Sequence, residues 1–335
     1  MSLRLHGDTL VQPGMLDFAT CVWPGREPPA LEAELERALS ERHRYPDERD
    51  ARAAIASRHG RSADEVLLLN GACEAFWLLA HALRPATAAC VHPGFTEPEA
   101  ALRAAGAEIA RVPRAPEGWQ LDPAQVPEQV DLLVVGNPNN PTGTIEHPGA
   151  LLSLADHARL LVVDESFIDF VRDHSLSLAT RTDVPGLVVV RSLTKVFSLA
   201  GLRAGYLLAS AELVELLASG RQPWSVNRLA CAALATCALD REPAEQVATV
   251  VAAARAELLA ALRTFDGLRV WPSAANFLLL AAQDGVELVD ALHERGIAVR
   301  SAASFPGLDE RYIRVAVRPP EDNAVLLAAL EELLA

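Results

Sequence analysis

The sequence predicts an α/β protein, with a mostly parallel central sheet sandwiched by helices and a smaller α+β domain after it. Three observations carry that prediction. Short, nearly all-apolar runs recur at Leu132–Gly136, Leu160–Val163, Leu187–Arg191 and Gly205–Ala209, as in strands covered on both faces. Helical spacers separate the earlier members of the series, which favours parallel neighbours. Beyond about residue 210 the texture changes to long Ala/Leu helices with short strands between them.

The elements follow in order. Residues 1–30 are rich in Pro and Gly and read as an arm lying over another part of the molecule. Leu31, Leu35, Ala38 and Leu39 have helical spacing, so a helix is expected over Leu31–Arg44, broken at Tyr45-Pro46-Asp47. A regular alternation begins at residue 51. Val66–Leu69 reads as a buried strand that runs through Asn70-Gly71-Ala72-Cys73 into a helix over Glu74–Leu83. A strand at Ala88–His92 closes at Pro93-Gly94, followed by a helix over Pro98–Ala105 and a strand around Glu108–Val112. The link Ser192–Ala204 either is helical or reverses the chain. Helices are expected over Ala211–Ser219, Ala244–Thr264, Val286–Arg295 and Pro320–Leu334, with strands at Leu268–Trp271, Phe277–Leu280, Ile297–Arg300 and Tyr312–Val317. The expected division is an arm (1–30), a large domain (31–235) and a small carboxyl-terminal domain (236–335).

Composition narrows the partners. The 335 residues include 30 Lys+Arg against 44 Asp+Glu, a net charge of −14, which argues against nucleic acid or an anionic membrane surface as principal partner. A small anionic ligand must then be held by a few placed cations and backbone amides. A hydrophobic fraction of 50% excludes low-complexity disorder. The five cysteines are odd in number and form no CxxC, so no disulfide framework or zinc ribbon is expected. No signal-like or membrane-spanning apolar run is present, and the expectation is a soluble cytoplasmic protein.

Four motifs carry chemistry. Asn137-Pro-Asn-Asn140-Pro-Thr-Gly143 follows a strand, at the sheet end where open α/β folds bind ligands, although such residues also make ordinary turns. Asp164 ends a buried strand, as a ligand group or as a helix N-cap. In Arg191-Ser192-Leu-Thr194-Lys195, a lysine follows two hydroxyls at a strand end, with Arg203 eight residues on. A lysine withdrawn from water becomes a candidate nucleophile toward a carbonyl, while Ser192, Thr194 and Arg203 suit a phosphate; a solvated loop is the plain alternative. Gly71-Ala72 opens a helix and leaves amides free for an anion, in neither a P-loop nor a GxGxxG setting.

In this order the four supply what pyridoxal phosphate requires. Over essentially its whole length the chain resembles the fold-type-I pyridoxal-phosphate enzymes of the class I/II aminotransferase superfamily. Within them it is similar to the branch of threonine-phosphate decarboxylases and histidinol-phosphate aminotransferases. The resemblance implies that Lys195 attaches the cofactor and then moves a proton, and that Asp164 faces the pyridine nitrogen. Asn140 bonds the 3′-oxygen and contacts substrate, Phe95 stacks on the ring, and Gly71, Ala72, Ser192, Thr194 and Arg203 bind the phosphate. Tyr45 reaches the phosphate of a neighbouring subunit, implying a homodimer, and Arg314 takes the substrate α-carboxylate.

Three features of the resemblance lean toward decarboxylation. Phe167 stands where many aminotransferases carry a tyrosine. His6-Gly7 with Leu16-Asp17-Phe18 is similar to the decarboxylase branch's substrate flap. Arg300 lies fourteen residues before Arg314, like the arginine pair that holds a phosphorylated substrate. The expectation is thus an L-threonine-O-3-phosphate decarboxylase-like enzyme of cobalamin-type biosynthesis. The alternatives are a histidinol-phosphate-type aminotransferase and a binding protein of this fold without that activity. Cys21 and Trp23 depart from the branch, which carries asparagines there, and are expected to alter the substrate pocket.

Overall fold

A computed structural model describes residues 3–25, 28–283 and 285–334, the side chain of Val286 excepted. Met1, Ser2, Arg26 and Glu27 of the expected arm, and Asp284 and Ala335 of the expected small domain, lie outside the described residues. The central sheet has seven strands in the order Val66–Asn70, Ala204–Leu208, Leu187–Ser192, Ala158–Asp164, Val130–Gly136, Thr87–His92 and Glu108–Pro113. Ala204–Leu208 alone runs antiparallel to its neighbours. The link after Ser192 therefore reverses the chain, through a 3-10 turn at Ala200–Leu202. Leu187–Ser192 is buried along its whole length and Val130–Gly136 along most of it, because helices cover both faces of the sheet.

A second sheet pairs Arg300–Ser301, Tyr312–Ala316, Phe277–Ala282 and Leu268–Val270, all antiparallel. The single strand expected over Ile297–Arg300 is divided. Ile297–Ala298 pairs in parallel with Leu16–Asp17 of the arm, and Arg300–Ser301 joins the second sheet. Two helices that the apolar spacing did not single out are Arg49–His59 and Arg228–Leu239. They pack on each other, and Arg228–Leu239 also packs on Leu31–Ser40. The apolar face of Arg49–His59 consists of Ala51, Ala54 and Ile55 among arginines, which weakens its periodic signal.

The arm, within its described residues, crosses from one sheet to the other. Ala316 N–H donates to the Phe18 carbonyl at 2.9 Å, and Trp23 N–H donates to the Lys195 carbonyl at 3.0 Å. Among the described residues no helix is long and apolar enough to cross a membrane. All five cysteines are free thiols, and no cluster of metal-ligating side chains occurs among the described residues.

Candidate active site

The carboxyl ends of the parallel strands, the reversing link and the arm enclose a cavity of about 950 Å³. Its wall includes Ala72, Phe95, Asn140, Asp164, Ser192, Thr194, Lys195 and Arg203 from the central-sheet side, Arg300 and Arg314 from the second sheet, and His6 and Gly7 from the arm. Gly71 lies just behind. It has φ +81°, and a Cβ there would stand 2.3 Å from Nη2 of Arg203. A Cβ on Gly205 would meet the Ala72 nitrogen at 2.5 Å. The Gly71-Ala72 turn and the Arg203–Gly205 segment therefore touch backbone to side chain, and only glycine permits it. The buried hydroxyls of Ser192 and Thr194 lie 2.6 Å apart next to this turn's cavity face. Backbone amides at a helix start, two hydroxyls and a guanidinium form a cup suited to a phosphate monoester.

Lys195 follows the strand Leu187–Ser192, and desolvation pulls its ammonium below the ordinary lysine value. Asp164 ends the adjacent strand and accepts a 3.0 Å bond from the Ser166 amide. Burial pushes its carboxyl up, an arrangement that a cationic partner such as a protonated pyridine nitrogen relieves. In the Asn137–Gly143 turn, Asn137 and Asn139 are consumed by structure. Asn137 Oδ1 accepts from Glu146 N at 2.8 Å, and Asn139 Nδ2 donates to the Pro93 carbonyl at 2.9 Å. Asn140 is left facing the cavity, where its Oδ1 accepts from Arg314 Nη1 at 2.6 Å. Phe95 forms a partly exposed aromatic wall, edge-on to Phe76. These groups fit pyridoxal phosphate: an amine for its aldehyde, a carboxylate for its ring nitrogen, an aromatic face and a phosphate cup.

Arg300 and Arg314 are directly opposed across the second sheet. Arg314 Nη2 donates to the Ala19 carbonyl at 2.6 Å, and Arg300 Nη2 donates to Ser304 Oγ at 2.6 Å. Each keeps a buried donor without a protein partner, Nε of Arg314 and Nη1 of Arg300. With the like charge of Arg314 nearby, burial lowers Arg300 to about 10. Two adjacent guanidiniums in the cavity wall suit a ligand bearing two anionic groups.

Of four further residues singled out in the sequence, only Trp23 departs from its expectation. Tyr45 does not line this chain's own cavity; it is 73% exposed and stacks on Trp224 at 4.4 Å. Trp23 does not reshape the pocket. Its backbone is tied to Lys195, and its indole turns into the hydrophobic core at 5% exposure. Cys21, two residues earlier, does line the wall, and burial raises its thiol. Phe167 is buried on the wall, edge-on to Phe277 at 5.0 Å, with no hydroxyl to offer. Sequence reasoning missed Glu97, which lies two residues beyond Phe95 and lines the cavity through partners distant in sequence.

A family model described as aminotransferase class I and II matches residues 14–330. A histidinol-phosphate aminotransferase of Mycobacterium bovis is 46% identical over 334 residues, covering 98% of this chain and 90% of that protein. A threonine-phosphate decarboxylase of Salmonella typhimurium is 36% identical, covering 96% of this chain and 91% of that protein. The crystal structure of the histidinol-phosphate aminotransferase from Clostridium acetobutylicum superimposes with a TM-score of 0.89 at 25% identity, covering 95% of this chain and 99% of that one.

Proposed function

The chain belongs to the class I and II aminotransferases and is an enzyme dependent on pyridoxal phosphate; from that premise we propose that it decarboxylates a small O-phosphorylated amino acid of the L-threonine-O-3-phosphate kind. The observation that carries this reading is the pair Arg300 and Arg314, opposed across the second sheet and both lining the cavity that holds Lys195. A substrate with a carboxylate and a phosphate offers each guanidinium an anionic partner. An amino acid with one anionic group leaves one of the two cations without a counter-charge.

Pyridoxal phosphate supplies the electron sink that makes a bond to the α-carbon breakable. The chain's own residues do the rest. Gly71, Ala72, Ser192, Thr194 and Arg203 would hold the cofactor phosphate, Asp164 would keep its ring nitrogen protonated, and Phe95 would offer it an aromatic face. Arg314 binds and orients the α-carboxylate, with Asn140 steadying the guanidinium. Arg300 and His6 take the substrate phosphate. As carbon dioxide leaves, the proton that replaces it on the α-carbon would come from Lys195 in its ammonium form, which takes that proton from the incoming substrate's α-ammonium group. Phe167 supports this reading, since no tyrosine hydroxyl stands at that wall position. In the same reading the enzyme is a homodimer in which Tyr45 of each copy reaches the other's cofactor phosphate. The small domain (236–335) and the arm (1–30) close over the large domain (31–235).

Transamination is the second reading, favoured by the 46% identity to a histidinol-phosphate aminotransferase. There Lys195 removes the α-proton instead. One assay separates the two. Holoenzyme with O-phospho-L-threonine is expected to release carbon dioxide and aminopropanol phosphate. No release, with amino transfer from glutamate to imidazole acetol phosphate, assigns the aminotransferase.

A further inference from the structure

A carboxylate in the wall of an anion-binding cavity requires a reason. Glu97 is 5% exposed, and its two oxygens have separate partners. Oε2 accepts from the Trp77 indole Nε1 at 2.9 Å and the Cys73 thiol at 3.7 Å, both at the start of the helix Glu74–Leu83. Oε1 accepts from His6 Nε2 at 2.7 Å and lies 3.9 Å from Arg4 Nε. One oxygen thus belongs to the body of the molecule and the other to the arm. The hydrogen bond from His6 holds the Glu97 carboxyl below the usual carboxylate range. The arm is also gripped from elsewhere, by the Thr96 hydroxyl on the Leu3 carbonyl and Arg300 Nη2 on the Leu5 carbonyl. A Cβ on Gly7 would strike the Ala19 carbonyl oxygen at 2.4 Å, so the arm lies flat at that point. His6 is thereby held at the cavity wall, its ring 5.9 Å from that of Phe95.

We propose that Glu97 is a positioning residue that fixes His6 over the cavity, so that His6 and Arg300 jointly receive the phosphate monoester of the substrate. This rests on the reading of the substrate as a phosphorylated amino acid. The geometry accounts for the carboxylate's presence. With Trp77 and Cys73 anchoring one oxygen, the other points at His6 and at the Arg4 guanidinium, and the positive charge of Arg4 offsets its repulsion of an incoming phosphate. Without Glu97 the imidazole is free to leave the wall, and the phosphate loses one of its two donors.

The test compares Glu97→Ala, Glu97→Gln, His6→Ala and the double variant as holoenzymes. Dissociation constants for O-phospho-L-threonine and L-threonine are read from the cofactor's absorbance, beside KM, kcat and cofactor retention. Glu97→Ala is expected to weaken binding of the phosphorylated amino acid about tenfold or more, the worth of one hydrogen bond to a charged group. The loss appears in KM rather than kcat, while L-threonine binding and cofactor retention hold. In the His6→Ala background, Glu97→Ala adds nothing, because it acts through His6. If Glu97→Ala does not fold, Glu97→Gln carries the test, since its amide oxygen still accepts from Trp77. Phosphate selectivity retained in both Glu97 variants, or additive losses that include the cofactor, overturns the assignment. A wild-type enzyme that binds both amino acids alike overturns the phosphorylated-substrate reading itself, and the role of Glu97 with it.

Discussion

Lys195 shows how far its surroundings govern one side chain. Burial lowers its pKa from the ordinary 10.5, so the neutral amine that attacks an aldehyde is present at lower pH than in a solvated lysine. Between the folded value and 10.5 the unfolded chain binds a proton that the folded chain refuses, so apoprotein stability rises with pH across that window. Attachment of pyridoxal phosphate to apoprotein should therefore accelerate with pH and level off below 10.5. Stopped-flow absorbance across a pH series checks this, and a rate still climbing at 10.5 contradicts it. Lys195→Ala should abolish the borohydride-fixed label on this segment. Lys195, Asp164 and Asn140 were legible because strand-end polar residues stand out against apolar runs. Glu97 was not, because its partners lie at residues 4, 6, 73 and 77.

At the scale of elements, two neighbouring strands carry cavity-lining groups on their ends and a buried ionic network just beside them. Asp164 and Ser192 face the cavity, and the adjoining Glu165 and Arg191 are buried within the network. Arg191 Nη2 bonds Asp169 Oδ1 at 2.6 Å and Nη1 bonds Glu165 Oε2 at 3.2 Å. Glu165 also accepts from Leu178 N and Ser177 Oγ, each at 2.6 Å. His59, pushed down to about 2 by burial and by Arg191 and Arg58, stays neutral and pairs with the Tyr206 hydroxyl at 2.9 Å. Arg191→Met should leave buried Glu165 without its cation and Asp169 with Arg58 alone, 3.5 Å away, and destabilise the fold by about 3–5 kcal/mol. A denaturant midpoint equal to the wild type's contradicts that. The strands were legible from apolar runs; the network was not, because it joins residues from a helix, two strands and the turns between them.

At the scale of the molecule, a net charge of −14 coexists with Lys195, Arg203, Arg300 and Arg314 gathered at one cavity. Global acidity disfavours polyanions, and the local cluster admits small ones, because charges a Debye length or more apart are screened by salt. The proposed homodimer makes a whole-molecule prediction. Mixed dimers of Lys195→Ala and Tyr45→Ala subunits should regain activity that each variant lacks alone. Each mixed dimer contains one site with both groups intact. Failure of mixed, refolded subunits to complement contradicts the exchange of Tyr45.

By itself the sequence determined the fold class and singled out most of the polar residues that line the cavity, because both are written locally, as apolar periodicity and as polar residues at strand ends. Tertiary structure decided the rest. It reversed the strand after Ser192, divided Ile297–Arg300 between two sheets, and turned Trp23 into the core while leaving Cys21 on the wall. It also brought Glu97 to His6 and set Arg300 opposite Arg314. The physical reason is that register and long-range pairing depend on which surfaces remain to be buried once the local elements exist, and no short stretch of sequence carries that information.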